Sequence, residues 1–511
     1  MKLSDIIGAV PDRVSSDFED REITSIHHRS QEVRPGGLFV AIAGHVADGH
    51  AYVEDAIRRG AAAVVVEHPL RQTGNMVRVA DSRKALAQIA CRFYGHPSEH
   101  LTLIGVTGTN GKTTVSYLVE GILEAAGRQT GVIGTVNYRY GGKAFRNPVT
   151  TPESIDLQRI LTEMRQNAVS HVVMEVSSHA LDLHRVDGCW LDVGVFTNLS
   201  QDHLDYHRDM QHYWQSKQRM FTDNLGKGPK ATRAVAVVNR NDGRGRELFD
   251  KLTTRAVSVG NEPVNDVYAA QASYDLSGIR ASVVAPVGRI ELTSQLVGRH
   301  NLENILCAIG VGVALGLSAG DIRTGIQAVD CIPGRLEPVP NETGRFVYVD
   351  YAHTPDALGN VLGCLGALAV GRLIAVFGCG GNRDRDKRPK MGEIAARQCA
   401  LVVVTSDNPR NEEPSAIIAD ILPGVLKARS RRYTAAELQS GFAEEGYTVE
   451  VDRRAAIRLA IRASRPGDTI VIAGKGHENY QIIGQQTLDF DDCVVAGEVL
   501  AECRRSEKVR N

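Results

Sequence analysis

The chain has 511 residues, too many for a single hydrophobic core, so roughly two to four domains are expected. Hydrophobic residues make up 43% and charged residues 23%, and 59 basic against 60 acidic residues leave a formal net charge of -1. With 5% aromatics and no basic stripe, this excludes a global field for nucleic acid or an anionic membrane, and any anion must be recognised locally.

The opening Met1-Lys-Leu-Ser-Asp-Ile-Ile-Gly8 lacks the apolar core and cleavage site of a signal peptide, and no apolar run of about 18 residues follows. A cytoplasmic protein without a membrane span is expected. The nine cysteines have no C-x-x-C spacing and read as reduced, mostly buried side chains rather than zinc ligands. Residues 38–42 and 62–66 predict strands with a helix over 52–59 between them, a small α/β unit that ends near Tyr94-Gly-His-Pro-Ser98. From 99 to 331 strands are predicted at 103–106, 171–175, 193–197 and 234–238. Each is followed by a polar loop and a helical stretch, the pattern of a parallel sheet covered on both faces. Residues 266–296 alternate and predict antiparallel strands beside that sheet, and 301–315 an apolar helix. From 332 onward strands are predicted at 347–350, 373–377, 401–405 and 469–473, each ending in a loop rich in Gly, Asn, Asp or Arg, where open sheets bind ligands. The charged tail 504–511 is expected to fray.

Several loops carry chemistry. Val106-Thr-Gly-Thr-Asn-Gly-Lys-Thr-Thr114 joins a strand to a helix, and the order glycine loop, lysine, hydroxyl suits nucleotide phosphates. Lys112 can reach the outer phosphates, and Thr113 can offer its hydroxyl to Mg²⁺. The common pattern has glycine where Val106 stands, so this is a shortened variant whose alternative is an ordinary glycine turn. Met174-Glu-Val-Ser-Ser-His179 ends a strand, and Glu175 there is either a metal-holding carboxylate or a solvated strand end. Thr197-Asn-Leu-Ser-Gln-Asp-His-Leu-Asp-Tyr-His207 is a second polar exit, in which His203 is a metal ligand, a phosphate contact or a structural hydrogen bonder. Lys217 follows in Tyr213-Trp-Gln-Ser-Lys217, and Asn301-Leu-Glu-Asn304 can hydrogen-bond a base. In the last third, Gly378-Cys-Gly-Gly-Asn-Arg-Asp-Arg-Asp-Lys-Arg-Pro389, Ser406-Asp-Asn-Pro-Arg410 and Ala473-Gly-Lys-Gly-His-Glu478 leave successive strands. Arginine's planar fork there suits a carboxylate; solvated charge is the plainer reading.

In this order, Thr107-Gly-Thr-Asn-Gly-Lys-Thr113, Glu175-Val-Ser-Ser-His179, Thr197-Asn-Leu with Asp202-His-Leu-Asp205, His300-Asn-Leu-Glu-Asn304, Gly334-Arg-Leu-Glu337 and Asp350-Tyr-Ala-His-Thr-Pro355 resemble the Mur ligases of peptidoglycan synthesis over nearly the whole chain. The resemblance implies a three-domain α/β protein. Residues 1–98 would bind the UDP-substrate in a small α/β domain, 99–331 ATP in a parallel-sheet, P-loop ATPase-like domain, and 332–511 the amino acid in a Rossmann-like domain. It implies a monomer that takes ATP with Mg²⁺, a UDP-muramyl dipeptide and an amino acid, and joins the last two through an acyl phosphate. Asp407-Asn-Pro-Arg410 resembles the branch that adds meso-diaminopimelate, whose second carboxylate Arg410 would match. The alternatives are the lysine-adding branch, folylpolyglutamate synthase, and a non-catalytic nucleotide-binding scaffold.

Carried onto matching positions, the resemblance implies that Gly108, Thr109, Asn110, Gly111, Lys112, Thr113 and Thr114 hold ATP, with Asn301, Asn304, Arg335 and Asp350. Thr113, Glu175, His203 and a carbamylated Lys217 would surround the metal, with Lys112, His203 and Lys217 catalytic. Ser30, Thr150, Thr151, Ser177 and Arg185 would line the muramyl-peptide track. Arg383, Asp407, Asn408, Pro409, Arg410, Gly474 and Glu478 would bind diaminopimelate. Two positions depart from the family pattern: Arg29-Ser30-Gln31 stands where Asp-Ser-Arg is usual, and Leu183 where glutamine is common.

Overall fold

A computed structural model describes the chain except at residues 11–12, 15–17, 45–46, 71–74, 205 and 511, and its side chains as far as 505. Strands Ser25–His27, Gly37–Val40, Ala63–Val66 and Met76–Arg78 form a four-stranded parallel sheet. Strand period sorts its side chains. Leu38, Val40 and Val65 pack with Leu86 and Ile89 of helix Ser82–Phe93, while Phe39 and Val64 face Val53 and Ala56 of helix Val53–Arg58.

The second sheet has 11 strands. Its parallel middle runs Arg255–Gly260, Val235–Asn239, Val193–Phe196, Thr102–Thr107, His171–Glu175, Thr130–Ile133. Val267–Asp275 joins one edge in parallel and is followed by antiparallel Gly278–Ala285 and Gly288–Ser294, while a small hairpin extends the other edge. Register places Val106 beside Glu175 and Thr107 beside Phe196, so three chain exits open on one edge of the sheet. Val173 packs on one face with Val115 and Ile305, from helices Lys112–Ala125 and Arg299–Ala314, and Val172 and Met174 pack on the other with Trp214 and Met220.

The third sheet orders Glu337–Pro338, Phe346–Asp350, Thr469–Ala473, Leu373–Phe377, Leu401–Val404, Gly446–Val449, parallel except at its first strand. A separate hairpin, Tyr480–Ile483 with Gln486–Asp489, follows it. The expectation of a frayed tail is corrected: helix Asp492–Arg510 continues past 504. Val495, Val499 and Leu500 anchor it in the core, Glu502 takes Arg458 and Arg462, and Arg504 pairs with Glu342. Among the described residues no helix is long and apolar enough to cross a membrane. All nine cysteines are free, five of them buried and Cys331 exposed.

Candidate functional site

The phosphate loop is held open by contacts that only glycine permits. Gly108 (φ 147°) and Gly111 (φ 88°) both have positive φ. A Cβ on Gly108 would stand 1.8 Å from Thr197 Oγ1, and one on Gly111 2.2 Å from Asn304 Oδ1. The 197–200 exit braces the loop. Thr109 N donates to Asn198 O (2.8 Å), Asn110 N to Asn198 Oδ1 (3.0 Å), and Thr197 Oγ1 to Asn110 O (2.6 Å). Asn301 and Asn304 do not project freely toward a base. Asn301 donates to Val297 O (2.8 Å) and Asn304 to Asn301 Oδ1 (3.0 Å), so the pair backs the loop from behind. Thr114 is buried in the first helical turn.

Two lysines converge on one carbonyl. Lys112 Nζ donates to Gly108 O (2.8 Å) and Thr109 O (2.9 Å), and Lys217 Nζ donates to the same Gly108 O (2.8 Å). Lys217 is 1% exposed and lies 4.5 Å from the Tyr213 ring centroid. Burial, then the charge of Lys112, holds its pKa well below the usual lysine range, and burial also lowers Lys112. The charge of Asp202 opposes this shift, and its carboxylate caps its neighbour's N–H (His203 N to Oδ1, 2.8 Å). His203 has φ 56° and packs edge-on against His179. Asp205, quoted with it in the sequence motif, lies outside the described residues.

Glu175, 1% exposed, is the hub of the site. It accepts from Thr113 Oγ1 (3.1 Å), Thr135 N (2.9 Å) and Thr135 Oγ1 (2.8 Å). Thr135 Oγ1 in turn meets Thr150 Oγ1 (3.1 Å), and Thr151 Oγ1 donates to the Glu175 carbonyl (2.9 Å). Ser177 N donates to Thr151 Oγ1 (3.1 Å), and Arg185 Nη1 to Thr151 O (3.2 Å). The phosphate loop and the 150–185 track therefore share one network. Arg185 and Arg83, from the first sheet's domain, both pair with Glu153 (3.3 and 3.6 Å). Ser30 is buried in its own short turn. Among the described residues no three His, Cys, Asp or Glu side chains form a ready cation cage. A buried carboxylate beside a threonine hydroxyl nevertheless fits Mg²⁺, which keeps few protein ligands and takes the rest from phosphate and water.

The last domain reaches this site through Arg335. Its Nη2 donates to Thr113 Oγ1 (3.3 Å), and its guanidinium lies 4.7 Å from the Tyr351 ring centroid. Asp350 shapes that loop by accepting from Leu336 N (2.7 Å) and Ala352 N (2.8 Å); burial raises its pKa, and Arg335 opposes the rise. Gly334 is required, since a Cβ there would stand 2.2 Å from His477 N.

Asp407, Asn408, Pro409, Arg410, Gly474 and Glu478 come together at the exits of two neighbouring regions of the third sheet. Gly381 packs so tightly that a Cβ would lie 1.8 Å from Pro409 O. Arg410, at φ 53°, is clasped by the 480–489 hairpin: its N–H donates to Ile482 O (3.0 Å) and its carbonyl accepts from Gly484 N (2.7 Å). Its Nη1 donates to Gly381 O (3.0 Å). Asn408 Nδ2 donates to Glu478 Oε2 (2.7 Å), while burial raises the Glu478 pKa. Asp407 Oδ1 is buried with no hydrogen-bond partner, and Gly474 (φ 117°) lies against the same carboxylate. Arg383 is exposed, its stem passing Gly380 alongside Arg410.

Residue types alone missed Thr135 and Lys475. Thr135 follows the strand Thr130–Ile133, and its signal is the apolar Gly-Val-Ile run ending at Gly134-Thr135. Lys475 is fully buried and donates to Asn408 Oδ1 (3.4 Å), Glu478 Oε2 (3.5 Å) and Tyr480 O.

Comparison with known proteins places three family patterns along the chain: Mur ligase family, catalytic domain, at residues 22–94; Mur ligase middle domain at 106–312; and Mur ligase, glutamate ligase domain, at 334–476. The UDP-N-acetylmuramoyl-L-alanyl-D-glutamate–2,6-diaminopimelate ligase of Geobacter metallireducens is 49% identical over 494 residues, 96% of this chain and 97% of that protein. The ligase of the same name from Geobacter sulfurreducens is 47% identical over 510 residues, 99% of each chain. A solved structure of a protein of that name is 29% identical and superposes with a TM-score of 0.69, covering 99% of both chains.

Proposed function

Because the chain belongs to the Mur ligase family, matched in all three of its α/β domains, we propose that it is an ATP-dependent amide ligase of peptidoglycan precursor synthesis. It adds meso-2,6-diaminopimelate to the D-glutamyl side-chain carboxylate of UDP-N-acetylmuramoyl-L-alanyl-D-glutamate, the reaction named for its 49% identical relative. Residues 1–98 serve the UDP end of the substrate, 99–331 hold ATP, and 332–511 supply the amino acid.

The observation that carries this reading is the network through Glu175, which ties the phosphate loop to the 150–185 track (Thr113 at 3.1 Å, Thr135 at 2.8 Å). A carboxylate held along that track stands beside a triphosphate held on the loop. Its oxygen attacks the γ-phosphorus and ADP leaves. The diaminopimelate amine then attacks the acyl carbon and phosphate departs with the activated oxygen. Lys112 and the loop N–H groups bind the phosphates, and Arg335 adds a cation from the last domain. Thr113 and Glu175, with His203 nearby, would hold Mg²⁺, which supplies charge neutralisation on the phosphoryl oxygens. Burial, with Lys112 beside it, holds the Lys217 pKa well below the usual lysine range and so favours its uncharged amine. That amine can add to CO₂ with loss of one proton, which places a carbamate anion beside Lys112 and the loop.

At the other end, Arg410 matches the distal carboxylate, and Asp407 with Glu478 the distal ammonium. Lysine would leave Arg410 unpaired. The test is phosphate release from pure protein with ATP, Mg²⁺, the UDP-muramyl dipeptide and one amino acid. Release with diaminopimelate alone is expected. Release with lysine alone would assign the lysine-adding reaction, and none with either would leave a nucleotide-binding scaffold.

A further inference from the structure

The acceptor end of the cleft contains more charge than substrate recognition has used so far. Its floor is the Arg453–Asp492 pair, with both side chains fully buried. Arg453 donates to Asp492 Oδ1 (2.8 Å) and Oδ2 (2.7 Å), and also to Ser406 O (3.2 Å) and Ala473 O (3.1 Å). This pair is internally neutral and ties together the two loops that bear Asp407 and Glu478. Above it stand two acids, Asp407 and Glu478, and one buried cation, Lys475. Lys475 Nζ has three acceptors in reach, Asn408 Oδ1 (3.4 Å), Glu478 Oε2 (3.5 Å) and Tyr480 O, and sits 5.4 Å from the Tyr480 ring centroid. The Asn408 side chain is thereby oriented: its Oδ1 also accepts from Ile482 N (2.9 Å), which turns its Nδ2 onto Glu478 (2.7 Å). Asp407 Oδ1 is buried without a hydrogen-bond partner.

We propose that Lys475 is a positioning residue for the acceptor amino acid, fixing Asn408 and Glu478 so that the pocket keeps one net negative charge beside Asp407 Oδ1 for a single distal ammonium. This rests on the function proposed above and names a residue that acts through others, not one that touches the reacting atoms. Two acids against one lysine leave one charge to be matched, and Arg410 at the rim takes the carboxylate of the same zwitterionic end. Without Lys475, the two carboxylates would face each other with no cation between them, Asn408 Oδ1 would keep only the Ile482 N–H, and burial would drive Glu478 toward its neutral form. The ammonium site would then lose charge and geometry together.

The test is steady-state kinetics of the full chain with Lys475→Met, varying each of the three substrates in turn. The KM for meso-diaminopimelate is expected to rise at least ~30-fold, the range for truncating one partner of a buried charge pair, while the KM for ATP and for the UDP-muramyl dipeptide stay within about twofold. In the Glu478→Gln background the same substitution should cost much less, because the group it positions has already lost its charge. If Lys475→Met is not recovered folded, Lys475→Gln, which keeps a donor for Tyr480 O and deletes the charge, is expected to give the same split. A diaminopimelate KM within twofold of the parent in a folded variant, or a parallel rise for all three substrates, overturns the assignment. Absence of turnover by the unsubstituted enzyme with diaminopimelate overturns the underlying function first, before any variant is made.

Discussion

Lys217 and His207 are buried bases whose pKa values the fold depresses, with opposite consequences. Lys217 shares Gly108 O with Lys112, so a second full ammonium there would be repelled as well as desolvated. If its role is to become a carbamate, Lys217→Ala should lose nearly all turnover, and millimolar acetate or formate should restore part of it by lending the missing anion. Unchanged turnover by the alanine variant would sink the idea. His207, 1% exposed, bonds Ser178 Oγ (3.0 Å) and meets His212 Nδ1 (3.3 Å), and burial with His179 nearby pushes its pKa down to about 4 from the ordinary 6.5. The folded state thus binds fewer protons than the unfolded chain between those values. The stability that His207 contributes is complete above pH 6.5 and is lost as pH falls toward 4. Melting temperature should fall over that window more steeply for the parent than for His207→Gln, and parallel curves would exclude His207 as a source.

Strand ends, rather than strands, set the energetics of the third sheet, because buried charges knit its loops. Removing the guanidinium of Arg453 strands a fully buried carboxylate at Asp492 and frees two carbonyls, so Arg453→Met should destabilise the last domain by about 3–5 kcal/mol. Urea unfolding followed by a probe in that domain would measure it, and a change under 1 kcal/mol would mean that Asp492 finds another partner. The strands His171–Glu175, Leu373–Phe377 and Thr469–Ala473 were legible to the residue, since each is an apolar run buried on both faces. Ser25–His27 and Met76–Arg78 were not, being three residues long and only partly apolar. The hairpin that clasps Arg410 was also missed: Gln486–Asp489 is exposed throughout, so no apolar alternation marks it. The glycine turn at 108–111 and the strand that ends at Glu175 were readable from residue types because each pattern is local in sequence. The Lys475–Asn408 pairing was not, because its partners are 67 residues apart and meet only through the sheet.

At the scale of the molecule, scattered polar contacts among the described residues join the last domain to the centre. Arg335 reaches Thr113 (3.3 Å), Ser200 Oγ donates to Asp356 Oδ2 (3.0 Å), and Tyr348 OH donates to Leu276 O (2.8 Å). Arg335 alone of these touches the phosphate loop, so Arg335→Met should raise the KM for ATP and enlarge the radius of gyration measured by small-angle scattering with nucleotide bound. An unaltered radius would show that closure does not depend on Arg335. The hydrophobic clusters follow the same division: apart from Leu276 and Val297, the core beneath the acceptor loops draws nothing from the sheet that carries the phosphate loop. On the proposed function, activation of one reactant and choice of the other fall to separately packed modules. Selection can retune which building block is accepted by editing a few loops of one module, with the engine that energises the bond left as it stands.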